Sequence, residues 1–141
     1  MTDAWTRLCE LLEDDPEIVA AVTRAAAADA DPWLVLIDGL DQAGVLAYLD
    51  PQDSGMELAD ALAGVPRVFR AGVDLEPVAD IDGDLSAAIT RADAILAPQA
   101  LRIVYLAEEP DAYPLVVVSA EHAAEIVAVA TSLGREARIF G

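Results

Sequence analysis

Apolar side chains in the first third of the chain recur at the spacing of one helical face. Trp5, Leu8, Cys9 and Leu12 fall at i, i+3, i+4 and i+7 while Arg7, Glu10 and Glu13 point elsewhere, which predicts a helix over residues 3–14. Asp15-Pro16 ends that helix and opens a second, to about Ala28, because aspartate suits the cap and proline the first helical position. Ile18, Val22 and Ala25 form its inner stripe. Asp31-Pro32 repeats the signal for a third helix, stopped by Gly44. Its first half, Trp33-Leu34-Val35-Leu36-Ile37, is apolar on nearly every side and is expected to make this the most buried helix of the fold.

The pattern then changes. Val45–Leu49 suits a short strand, although five residues do not separate strand from helix by periodicity. Asp50–Gly55 is turn chemistry, and Glu57–Ala63 reads as a fourth helix ending at Gly64. Residues 65–83 carry an isolated Val68-Phe69 between Arg67 and Arg70, then an acidic segment from Asp74 to Asp84, and read as a loop or a short irregular strand. Leu85, Ala88, Ile89, Ala92, Ile95 and Leu96 share one face of a further helix that closes before Pro98.

Leu101–Ala107 and Tyr113–Val118 flank a turn at Glu108–Ala112 and predict a β-hairpin. Ser119 is placed to cap a helix carrying Ala123, Ile126, Val127, Ala130 and Leu133, which Gly134 ends; Arg135–Phe140 supplies a third strand. Helices fill the first two-thirds and a β-β-α-β unit ends the chain. The expected class is α+β, with the helical part packed on a small sheet, in one globular domain over residues 1–141.

Composition adds limits. With 55% hydrophobic residues among 141, the chain has the apolar content for a core and is not a disordered polyanion. Its longest clean apolar stretches, Trp33–Ile37 and Pro114–Val118, fall far short of the roughly 18 residues of a membrane span. No apolar signal region follows Arg7, and the lone Cys9 has no intrachain disulfide partner and sits on an apolar helical face. A soluble cytoplasmic protein is expected. Asp and Glu number 26 against eight arginines and no lysine, for a net charge of -18. Such a charge repels nucleic-acid phosphate and attracts a basic partner. It is uneven: fourteen acids and two arginines give -12 over residues 1–66, whereas twelve acids and six arginines give -6 over 67–141.

Few residues offer chemistry. His122 and Cys9 alone do not make a zinc site. Asp80, Asp82 and Asp84 have the spacing that opens an EF-hand loop, but glycine stands fourth instead of sixth and Arg91 occupies the twelfth position. A solvated turn with Asp84 capping the next helix is the ordinary reading, and no metal or cofactor is expected. The serines lack a nucleophile-elbow setting, and His122 one turn before Ile126 reads as a half-buried structural histidine. Asp38 follows Trp33 on an otherwise apolar helix, so it must emerge at an edge or meet a buried donor. The plainer alternative is that Asp38 and Asp41 mark the wet side of that helix.

The run Pro32-Trp33-Leu34-Val35-Leu36-Ile37-Asp38-Gly39-Leu40, then Gly44-Val45-Leu46 and Asp50, resembles a family of small, mostly bacterial proteins grouped as a domain of unknown function. Val104-Tyr105-Leu106 and Asp111-Ala112-Tyr113-Pro114-Leu115-Val116, followed by a helix, are similar to it as well. The resemblance covers about two-thirds of the chain. The family often has Trp-Lys after the aspartate, where Pro51-Gln52 stand here. The resemblance implies a shared fold and brings no activity.

The expected function is therefore binding rather than catalysis. A bacterial immunity-type protein that sequesters a basic toxin or effector is the first reading. Contacts are expected at Asp74, Glu76, Asp80, Asp82 and Asp84, or at the turn acids Glu108, Glu109 and Asp111. The alternatives are a DNA-mimic inhibitor of a nucleic-acid enzyme, a small carboxylate or metal enzyme, and a housekeeping domain. No direct nucleic-acid or membrane partner is expected, and the sequence leaves the oligomeric state open.

Overall fold

Alternation along four strands decides the architecture. In the computed structural model, which describes residues 4–12, 16–28, 30–50, 52–107 and 113–139, β1 (Leu46–Leu49), β2 (Leu101–Leu106), β3 (Tyr113–Ser119) and β4 (Ala137–Ile139) form one sheet. Its order is β1-β3-β2-β4 and every pairing is antiparallel. Leu46 faces Val116 on β3, Val104 faces Val116 from the other side, and Leu106 faces Ala137.

Successive strand residues point to opposite faces. Leu46, Val104, Leu106, Val116 and Val118 enter one core, with α1 (Ala4–Leu12), α2 (Pro16–Ala27), α3 (Pro32–Gln42) and α8 (Ala120–Ser132). Ala47, Leu49, Ile103, Leu115 and Val117 enter the other, with α4 (Gly55–Ala63), α5 (Pro66–Ala71), α6 (Glu76–Ala79) and α7 (Leu85–Leu96), which a 3₁₀ turn over Ala97–Gln99 extends. The α+β class is as the sequence implies. Both faces of the sheet are covered, which explains why β3 reads Leu-Val-Val-Val without a polar interruption.

Local signals set most helix ends. The Asp31 carboxylate accepts from the Trp33 amide at 3.1 Å and caps α3, and Gly44 takes the left-handed conformation just beyond that helix. Asp84 caps α7 by accepting from the Ala87 amide at 2.9 Å. Ser119 occupies the cap position of α8, but its side chain makes no capping hydrogen bond. Asp15, the turn at 108–112 and Phe140 lie outside the described residues.

Three expectations need correction. The 65–83 stretch is not a loop or strand throughout: Pro66 and Pro77 lie in the first turns of two short helices, α5 and α6, which bury Val68 and Val78 and leave only the connections between them as loop. The fourth helix begins two residues earlier than Glu57, at Gly55. The third helix is not the most buried: four of its eleven residues are buried against six of twelve in α7, and Leu34 is 46% exposed because the outer side of α3 faces neither core.

Long-range polar contacts tie the layers. The Trp33 indole Nε1 donates to the Ala107 carbonyl at 2.6 Å, joining α3 to the end of β2. Arg67 on α5 donates to the Val117 carbonyl at 2.8 Å and to the Leu12 carbonyl at 3.2 Å. Val117 lies just past the β1 ladder, so the guanidinium serves a strand carbonyl beyond β1's reach together with a carbonyl at the end of α1. Arg7 forks onto both oxygens of Glu125, and the pair lowers the carboxyl's pKa and raises that of the guanidinium. Cys9 is fully buried. Among the described residues no helix is long and apolar enough to cross a membrane.

Candidate functional site

The acidic segment is presented by the short helices that sequence periodicity missed. Val65-Pro66 begins α5, and Gly72, at φ 67°, turns the chain out of it in a conformation that side chains rarely adopt. Six residues give that helix one inward position, Val68; the next, Phe69, is 79% exposed. Among the described residues it is the most exposed large apolar side chain.

Beyond Gly72 the Asp74 carboxylate accepts from the Glu76 amide at 3.0 Å and starts α6. The position of α6 is fixed by Gly55 at the start of α4. A side chain there would set its Cβ 2.1 Å from the Val78 carbonyl oxygen and 2.9 Å from Ile81 Cγ2, so only glycine permits the approach. Glu57 anchors the same end of α4, accepting from the Ser54 amide at 2.7 Å and from the Ser54 hydroxyl. Those hydrogen bonds hold its carboxyl below the usual glutamate range.

A groove of about 360 Å³ opens beside Phe69, walled by Ala63, Val68, Gly72, Val73 and Leu75, with Asp74 on its rim. Of the acids singled out from sequence, Asp74, Glu76, Asp80, Asp82 and Asp84 are all exposed and follow one another from this rim through α6 to the α7 cap. Only Asp74 lines the groove itself. Glu108, Glu109 and Asp111 lie outside the described residues. Among the described residues no group of three or more His, Cys, Asp or Glu is arranged to hold a metal ion. The run Asp80, Asp82, Asp84 is thus extended along the chain, with Asp84 engaged as a cap.

Phe69 was visible in the sequence as an isolated apolar residue between two arginines, but its exposure was not. The signal for it was Pro66 with Gly72, which together bound a helix too short to bury two sides. His122 is half-buried on α8, with Nε2 3.6 Å from Glu121 Oε1. Asp38 emerges at the surface and accepts from Gln42 Nε2 at 2.8 Å, as a wet-side residue does.

Fold and surface define an α+β domain whose antiparallel sheet lies between two helical layers, one of which presents an aromatic tip beside a line of carboxylates. The chain matches the family described as "Domain of unknown function (DUF6630)" over residues 4–140, and it belongs to that family. The match extends well beyond the two-thirds that the sequence motifs covered. No curated protein and no solved structure matches the chain.

Proposed function

We propose that this protein is a non-enzymatic binding module that holds a basic protein, most concretely an immunity-type protein that sequesters a basic toxin or effector in the cytoplasm. The observation that carries the reading is Phe69, 79% exposed at the mouth of an apolar groove and followed in the chain by five exposed carboxylates. Phenylalanine is among the residues enriched at the cores of protein interfaces, and truncating an aromatic anchor there can cost much of the affinity. Asp74 on the rim and the acids that follow it along the chain speed encounter with a cationic partner, outnumbering the exposed Arg70 beside Phe69. The net charge of -18 supplies the long-range field.

The test is capture from the protein's own host with wild-type protein and Phe69→Ala side by side, followed by affinity measurement on the purified partner. The expected result is a basic protein whose dissociation constant rises at least about tenfold for Phe69→Ala. A partner that binds both proteins equally, or a neutral or acidic partner, would overturn the reading.

A further inference from the structure

A second aromatic is open to solvent on the other side of the β1 strand's neighbourhood. Tyr48 of β1 is 49% exposed and Leu34 of α3 is 46% exposed, and with Ile37 they wall a pocket of about 110 Å³ between helix and strand. Asp38 and Asp41 complete its lining. They are three residues apart on α3, so both carboxylates lie along one side of the helix. Neither forms an ion pair with an arginine among the described residues, and the chain has no basic residue between Arg24 and Arg67. Gln42 donates to Asp38 Oδ2 and holds that carboxylate in place.

We infer that this pocket receives a single arginine side chain from the partner protein. The pocket is small, about 110 Å³, and is lined by five residues of one helix and one strand, which favours a single side chain over a longer segment. Tyr48 offers a ring for the planar cation to stack on, and Leu34 and Ile37 offer apolar surface for the stem. Asp38 and Asp41 offer the acceptors for a forked donor. Lysine fits less well, since it brings a point charge without the plane or the fork. A groove of about 370 Å³ between α2 and α3 shares Asp38 as a wall and is lined also by Glu17, Val35 and Gln42. A second copy of this chain is a poor occupant, because two bodies of charge -18 repel.

The inference rests on the reading of the protein as a holder of basic partners, but it concerns a different surface from Phe69. The experiment is an amide-resolved NMR titration of the full chain with a blocked Gly-Arg-Gly tripeptide, beside its lysine and citrulline counterparts. Expected are saturable shifts at residues 34–48, with the arginine peptide binding about threefold or more tighter than the lysine one and the citrulline peptide giving none. Asp41→Asn and Tyr48→Leu, each with an otherwise unchanged spectrum, are expected to remove them. Shifts that rise linearly and equally for arginine and lysine overturn the inference. So do shifts confined to residues 69–84, an outcome that leaves the Phe69 reading standing. Concentration-dependent shifts at 34–48 without any peptide make the occupant a second copy and likewise overturn it. Conversely, arginine-specific saturation here alongside a partner indifferent to Phe69→Ala removes the Phe69 surface and retains this pocket.

Discussion

The Asp93 carboxylate lies 3.0 and 3.1 Å, through its two oxygens, from Arg102 Nε, and one of those oxygens also accepts from the Ile103 amide at 2.9 Å. Asp93 sits on α7 with only 4% of its surface exposed, whereas Arg102 and Ile103 are on β2. The helix therefore docks on the sheet through a buried charge that is both paired and hydrogen-bonded, the condition under which burial of a charge is tolerated. Asp93→Ala is expected to destabilise the protein by about 1–3 kcal/mol, since it strands the Ile103 amide and removes the Asp93 partner of Arg102. Asp93→Asn, which keeps one acceptor, is expected to cost less. Urea unfolding followed by circular dichroism checks both, and equal losses for the two variants would mean that the Ile103 hydrogen bond contributes nothing.

Gly55 is the residue on which the acidic helix α6 depends for its place. Gly55→Ala forces the Val78 carbonyl away from its present position, because a Cβ at 2.1 Å is impossible. A loss of about 1–3 kcal/mol is expected, the range for overpacking a closed contact. Amide shifts are expected to concentrate at residues 74–84. A fully stable Gly55→Ala with an unchanged spectrum would contradict the packing described.

Trp33 joins two parts of the chain that its sequence position does not suggest. Its Nε1 hydrogen bond to Ala107 is absent in Trp33→Phe, which leaves that carbonyl without its indole donor and is expected to cost about 1–3 kcal/mol. Thermal melts of Trp33→Phe beside Trp5→Phe separate this contact from general loss of indole packing. The Trp5 ring, 6.5 Å from that of Trp33, has only the packing contribution to lose in such a change.

The helices with long periodic stripes and an Asp-Pro start were legible from the sequence, as were the hairpin strands and the β-β-α-β ending. α3 misled because an unbroken apolar run resembles full burial; Leu34 belongs instead to an exposed surface pocket. α5 and α6 have six and four residues, too few to repeat a period, so only their prolines announced them. The fate of Val45–Leu49 was undecidable locally, since its pairing with Tyr113–Val116 spans more than sixty residues of sequence. Of the site, the carboxylates were legible because charge is local. Phe69 and Tyr48 were not, because exposure depends on what the rest of the chain fails to cover.

Acid should act through Glu57 and Glu125. Both carboxyls are held below their ordinary range, Glu57 mainly by the Ser54 hydroxyl and Glu125 mainly by the hydrogen bonds from Arg7. A folded-state pKa below the unfolded one gives stabilisation that is complete above the unfolded value and disappears as pH falls through the folded value. Melting temperatures from about pH 6 down to about pH 3 are therefore expected to fall more steeply for wild type than for Glu57→Gln or Glu125→Gln. Comparing variants removes the opposing relief of self-repulsion as the other acids titrate. Parallel curves would show that these two contacts do not stabilise the fold.

The salt dependence of affinity for the captured basic partner distinguishes holding by charge and ring from every other use of this surface. Association is to be measured at low and high ionic strength for wild type, Phe69→Ala and the doubly neutralised Asp74→Asn, Glu76→Gln protein. Binding that weakens with salt is the expected result. Phe69→Ala should lose at least about tenfold at both ionic strengths with its slope unchanged, while the neutralised protein should show a shallower slope. Affinity indifferent to salt and to all three substitutions would contradict the proposal outright.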